Sequence, residues 1–217
     1  MSRVPFDLLL LTDPAAPLGV VASIARALDA AGSPRVAVQL RDKAASTRAL
    51  LAAGRALRQA TSRAGATLLV NGRLDIAVAV GADGVHLGEA ASPVSDVRRL
   101  LGARALIGAS RHDAAGVREA TAAGADFIVV APFAEVPRKG PPLGREGLAA
   151  LVRETPLPVF ALGGVGPESV ALIRDAGARG VAVLRGVGGS RDPAARALAY
   201  RHSLDSARIC NELLGPT

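Results

Sequence analysis

Three short stretches of this chain share one pattern: "AVGADGVHL" ending at Leu87, "AAGADFIVV" ending at Val130 and "DAGARGVAVL" ending at Leu184. Each reads as the close of a helix, then Gly-Ala-(Asp/Arg), then a buried strand. Glycine at that point supplies the left-handed residue that ends a helix. A chain that repeats this unit alternates strands with helices, which implies parallel strands joined by right-handed crossovers.

The rest of the sequence fits the same alternation. Short apolar runs predict strands at Asp7–Thr12, Arg35–Leu40, Thr67–Val70, Gly84–Leu87, Ala105–Ser110, Asp126–Val130, Pro158–Leu162 and Gly180–Leu184. Longer segments of helical period lie between them, among them 19–32, 47–65 and 167–177. About eight such units in this length give an α/β fold, a single-domain (β/α)₈ TIM barrel over residues 1–217, with a C-terminal helical tail from about residue 204. The competing architecture is an open doubly wound sheet. It is disfavoured because no G-x-G-x-x-G follows the first strand. Half of the residues are hydrophobic and only 2% aromatic, so alanine, leucine and valine are expected to carry the core. Parallel strands buried on both faces do not need aromatic anchors.

Composition also narrows the partners. The net charge of +7 could indicate nucleic acid, but the basic residues are spread along helices rather than clustered. No nucleic-acid partner is expected. A single cysteine, Cys210, excludes an internal disulfide framework and fits a reducing cytoplasm. The apolar run near the N-terminus is broken by Asp7 and Asp13-Pro14 and lacks a small-residue cleavage site, so it does not read as a signal peptide. No apolar stretch reaches the length of a membrane span. The expectation is a soluble cytoplasmic protein with no membrane partner; homo-oligomerisation is left open.

Asn71-Gly72 follows the third strand. The pair is a strong hairpin signal, yet "RLDIAVAVG" after it has helical rather than strand character. In a barrel the pair becomes the third βα loop, on the face where active sites are built. The other βα loops supply further candidates. Gln39, Arg41 and Lys43 alternate along an extended segment and project to one side, which suggests an anionic ligand. His86, Glu89 and Ser92 follow or end the fourth strand, and Ser110, Arg111 and His112 the fifth. The sixth loop is long and rich in proline and glycine, carries Glu135, Arg138 and Lys139, and has the length of a lid. Gly163-Gly164 and Gly186 follow the seventh and eighth strands, where barrel loops often present backbone N–H groups to a phosphate. A phosphate site is the preferred reading of these glycines, with tight turns alone as the alternative.

Taken in order, "QLRDK", "VNGRLDIAVAVGADGVHLG", the Gly-Ala-Ser and His of the fifth loop, "ADFIVV", "ALGGV" and "GVAVL" resemble the thiamine phosphate synthase/TenI superfamily. The resemblance extends to about Arg201. It implies a (β/α)₈ barrel that acts on a small phosphorylated thiazole. Synthases of the family join thiazole phosphate to hydroxymethylpyrimidine diphosphate with loss of Mg²⁺-bound diphosphate, whereas TenI members aromatise thiazole phosphate by tautomerisation. By resemblance, Gln39, Arg41, Lys43 and Asn71 hold the pyrimidine diphosphate, and Ser110 contacts its diphosphate. Gly163, Gly164, Gly186 and Val187 cradle the thiazole phosphate.

The departures from the family pattern are specific. Gly72 and Ala91 stand where synthases carry two magnesium-binding aspartates, so no metal site is expected. Glu135 and Pro137 replace two threonines of a diphosphate clamp, with Arg138 or Lys139 in place of its lysine. Ala131 stands where TenI carries its histidine, which leaves His112, Glu135 and His86 as candidate acid/base groups. Arg185 replaces a small residue in the eighth loop, where it either strengthens phosphate binding or blocks it. These departures favour a TenI-like tautomerase over an efficient synthase, with no cofactor required and Mg²⁺ needed only if the chain is a synthase. The alternatives are a thiamine phosphate synthase and a catalytically inactive, phosphate-binding or regulatory homologue.

Overall fold

A computed structural model describes residues 3–214, with side chains described through residue 209. Cys210 falls within the last helix, but its side chain lies outside the described residues. The chain forms eight parallel strands: β1 Leu8–Leu11, β2 Val36–Leu40, β3 Thr67–Asn71, β4 Gly84–Leu87, β5 Leu106–Arg111, β6 Phe127–Val130, β7 Val159–Leu162 and β8 Gly180–Val183. Each is followed by its helix: α1 Val20–Ala31, α2 Thr47–Ala64, α3 Leu74–Ala79, α4 Val94–Leu101, α5 Ala114–Ala122, α6 Gly144–Arg153, α7 Val170–Asp175 and α8 Pro193–Leu214. A tight helical turn at Pro167–Ser169 precedes α7. Strands pair in sequence order, and β1 closes on β8 with Leu8 opposite Val181. The predicted barrel is therefore present, and an open sheet is excluded.

Period-two alternation sorts each strand between two cores. Leu8 and Leu10 of β1 face outward to the helices, while Leu9 and Leu11 face the barrel interior. The composition argument fails in that interior. Phe6, Phe127 and Phe160 are fully buried there, with ring centroids 5.3–5.6 Å apart. Three of the four phenylalanines thus pack in the barrel interior, beside Leu9, Leu69 and Val129. Gly108 of β5 makes room for them: a Cβ there would lie 2.2 Å from the Phe127 ring.

The Gly-Ala-Asp repeat has a structural cause beyond helix closure. Asp83, just before β4, accepts a hydrogen bond from the Leu68 N–H of β3 at 2.7 Å, and Asp126, just before β6, accepts from the Ile107 N–H of β5 at 2.8 Å. Each carboxylate thereby satisfies the start of the preceding strand, where the ladder leaves an amide unpaired. Arg58 also pairs with Asp83, and Arg98 and Arg3 with Asp126. At the start of β1, buried Asp7 binds both Arg35 and Arg201, and Asp205 completes the group. Arg201 and Asp205 lie on α8, which runs through residue 204 without a break and buries Leu204 in the core.

Candidate active site at the barrel mouth

The carboxyl ends of the strands surround a cavity of about 1140 Å³. Leu9, Leu11, Val129, Leu162 and Ala182 give it an apolar floor. Gln39, Arg41 and Lys43 all line it, as their alternation predicts. Thr12 sets this segment: its hydroxyl accepts from the Arg41 N–H at 2.7 Å and donates to the Arg41 carbonyl at 2.9 Å. Asn71, the last residue of β3, lines the cavity, and Gly72 beyond it turns the chain with φ 67°. The Asn-Gly pair thus leads from β3 toward α3 rather than into a hairpin.

His86 and Ser110 meet on the wall between β4 and β5, with Nε2 2.8 Å from Oγ. Burial first, and the charge of Arg111 second, push the His86 pKa down to about 4. Its imidazole is therefore neutral near pH 7. Arg111, which ends β5, is buried and turned back to donate to the Ser110 carbonyl at 2.7 Å. His112 is exposed and lines the cavity; its Nδ1 lies 2.8 Å from the Ala131 carbonyl and its Nε2 3.7 Å from the Glu89 carboxylate.

The sixth loop closes one side. Pro132, Val136, Pro137 and Lys139 line the cavity. Glu135 and Arg138 are exposed and lie off its walls, so the two are not brought together with the other candidates. Ala134 beside Glu135 packs against loop seven, which turns Glu135 outward. The start of this loop is tied down: Phe133 and Ala134 donate to the carbonyls of Leu162 and Gly163 at 2.9 and 3.0 Å. Ser92 is exposed and also lies off the cavity, and Val187 is fully buried, so only its backbone is available to a ligand.

Gly163 and Gly164, next to the sixth loop, and Arg185 and Gly186 beyond them also line the cavity. Gly163 and Gly164 have φ of 91° and 66°, and a Cβ on Gly164 would sit 2.7 Å from that of Ala134. The glycines are thus required by turn geometry and by contact with loop six, whatever the ligand. More telling for binding, among the described residues the N–H groups of Gly163, Gly164, Arg185 and Gly186 donate to no acceptor in the chain.

Two residues that the sequence reading passed over hold these loops. Tyr200 of α8 donates its hydroxyl to the Val165 carbonyl at 2.8 Å, and a Cβ on Gly186 would sit 2.4 Å from that hydroxyl. Arg196, one turn earlier, donates to the Gly186 carbonyl at 3.1 Å and lies 5.6 Å from the Tyr200 ring centroid. Burial pushes the Tyr200 phenol up from its ordinary pKa, which keeps it a donor. The signal in the sequence was that Tyr200 is the only tyrosine, set in an alanine-rich helix.

Charge completes the description. Arg41, Lys43, Lys139 and Arg185 all line the cavity, and among the described residues their side chains form no ion pair. By contrast, Arg73 at the rim is neutralised by Asp75. The carboxylates on the walls are Asp42 and Glu89. Asp42 Oδ1 is taken by the amides of Ala44 and Ala45, at 2.9 and 3.1 Å. Unpaired cations above an apolar floor suit a ring-bearing ligand with phosphoryl groups.

The fold and site define a closed eight-stranded (β/α)₈ barrel with unpaired cations at its mouth, and comparison with known proteins specifies the family. The family model for thiamine monophosphate synthase matches residues 8–187, and the chain belongs to this family. A protein of Geobacter sulfurreducens is 45% identical over 204 residues, covering 92% of this chain and 94% of its own. A thiamine-phosphate synthase of Methanoculleus marisnigri is 40% identical, covering 94% and 97%. Among solved structures, thiamine phosphate pyrophosphorylase from Pyrococcus furiosus superposes with a TM-score of 0.86 at 30% identity, over 94% of this chain and 98% of that one. Among the described residues no helix is long and apolar enough to cross a membrane.

Proposed function

We propose that this protein is a thiamine phosphate synthase, which joins thiazole phosphate to hydroxymethylpyrimidine diphosphate and releases diphosphate. The names of its relatives favour this reading over the tautomerase that the departures in sequence suggested. The observation that carries it is the set of four unpaired cations, Arg41, Lys43, Lys139 and Arg185, around one cavity. A tautomerase holds a single phosphate; a synthase must hold a phosphate and a diphosphate together. The apolar floor takes the rings, the free amides of loops seven and eight take the thiazole phosphate, and Arg41, Lys43 and Lys139 hold the diphosphate. As the carbon–oxygen bond to diphosphate breaks and the bond to the thiazole forms, charge accumulates on the leaving group. Fixed cations aimed at that charge lower the barrier.

The synthase reading calls for magnesium, and the carboxylates on the cavity walls that would hold it beside a diphosphate are Asp42 and Glu89. Magnesium asks for one or two free carboxylates beside a diphosphate. Gly72 and Ala91 have no carboxylate to offer, while Asp42 keeps Oδ2 clear of the backbone amides that take Oδ1, and Glu89 faces the cavity. Magnesium bound there would add its charge to that of Arg41, Lys43 and Lys139 in neutralising the departing diphosphate.

A second reading, the tautomerase, draws on one observation. The His112 ring is bonded to the backbone of Ala131 and faces Glu89, which supports a role for it as the acid/base group of a tautomerase. Turnover separates the two. Purified protein given both precursors should release thiamine phosphate and diphosphate in equal amounts. Aromatisation of thiazole phosphate alone, with no thiamine phosphate formed, would establish the tautomerase, and tight binding without either product would establish an inactive homologue.

A further inference from the structure

His86 has one partnered ring nitrogen and one without a partner. Nε2 lies 2.8 Å from Ser110 Oγ, while Nδ1 is buried and makes no hydrogen bond among the described residues. The surroundings of Nδ1 explain why: the Phe127 ring centroid is 5.7 Å from that of His86, and a Cβ on Gly108 would lie 2.6 Å from Nδ1. The ring is neutral near pH 7, because burial and then Arg111 disfavour its charged form. A neutral imidazole carries one proton, on one nitrogen or the other. On Nδ1 that proton would be a donor buried in an apolar wall, and orphaned N–H groups are the rarer and costlier kind. On Nε2 it is donated to Ser110, and only a bare lone pair faces Phe127.

The second arrangement has a consequence for Ser110. Its oxygen then accepts from His86, so its single proton must go elsewhere, and Ser110 lines the cavity among the unpaired cations. We infer that His86 is a positioning residue, which as the Nε2–H tautomer commits the Ser110 hydroxyl to donate to a phosphoryl oxygen of the ligand. The tautomer rests on the burial of the ring and the partners of its two nitrogens; the phosphoryl acceptor rests on the proposed synthase reading.

Two measurements on the full-length protein test this separately. Nitrogen-15 spectra of histidine-labelled protein, with the His86 signals assigned by their loss in His86→Gln, should show Nε2 protonated and Nδ1 bare from pH 6 to 8. A protonated Nδ1 would overturn the inference. Calorimetric titration with inorganic diphosphate should show about tenfold weaker binding for His86→Leu and for Ser110→Ala, each checked for folding by its melting transition. The double variant should be no weaker than either single variant, and His86→Gln, whose amide N–H reaches the Nε2 position, should stay within about threefold of the unmodified protein. Additive losses, or a His86→Gln as weak as His86→Leu, would overturn the positioning role. If the unmodified protein fails to bind diphosphate while the Nε2–H tautomer is observed, the synthase reading fails and the phosphoryl acceptor is withdrawn.

Discussion

Arg41 and His86 sit two strands apart on the same cavity and show how much one side chain's surroundings decide. Arg41 has its backbone clasped by Thr12, while its guanidinium forms no ion pair among the described residues. Its charge is therefore available to a ligand. Arg41→Met should keep the stem and lose the charge, raising the KM for the pyrimidine diphosphate about 10- to 100-fold, as expected for a charge-assisted hydrogen bond, with little change in the melting transition. An unchanged KM in steady-state kinetics would remove Arg41 from the site. At His86 the surroundings act on the charge itself. Its pKa is lowered from 6.5 to about 4 on folding, so between those values the unfolded chain binds the proton and the folded one resists it. Stability is intact above pH 6.5 and falls as the pH drops toward 4, by about 3 kcal/mol. Denaturant midpoints for His86→Gln should fall less steeply across that window than those of the unmodified protein.

At the scale of elements, α8 serves both ends of the barrel. Arg201 and Asp205 join it to Asp7 at the start of β1, and Tyr200 and Arg196 join it to loops seven and eight. Tyr200→Phe keeps the ring against Gly186 and removes the hydroxyl that binds Val165 and interacts with Arg196. It should cost about 1 kcal/mol of stability and raise the KM for thiazole phosphate severalfold, while leaving the KM for the pyrimidine diphosphate in place. Equal effects on both substrates would mean that α8 supports the fold rather than the cradle. These contacts could not be read from the sequence, because Asp7 and Arg201 are 194 residues apart and nothing local pairs them. The strands could be read, since each is a short apolar run bounded by helix closures, and all eight fall within one or two residues of expectation. The Asn-Gly turn was also legible, since the helical character of 73–81 contradicted a hairpin. The barrel interior was not: a low aromatic fraction says nothing of where Phe6, Phe127 and Phe160 converge. Alternation placed Gln39, Arg41 and Lys43 on the cavity, whereas Glu135 and Arg138 lie in an irregular loop with no period to fix their direction.

For the whole molecule, the division of labour follows from the barrel itself. The amino ends of the strands carry carboxylates already matched to arginines, as at Asp7, Asp83 and Asp126. The carboxyl ends carry cations left unmatched, as at Arg41, Lys43, Lys139 and Arg185. Paired charge holds the scaffold, and unpaired charge faces the ligand. Substrate affinity should therefore weaken as salt rises from about 0.05 to 0.5 M, since the mouth is open to solvent and screening acts within about 10 Å. The most direct measurement is a diffraction structure with thiamine phosphate and diphosphate bound together. Diphosphate oxygens should lie within hydrogen-bonding distance of Arg41, Lys43 and Lys139, with the thiamine phosphate monoester on the amides of Gly163, Gly164 and Gly186. Diphosphate held away from those three cations, or a phosphate monoester bound elsewhere, would contradict the account.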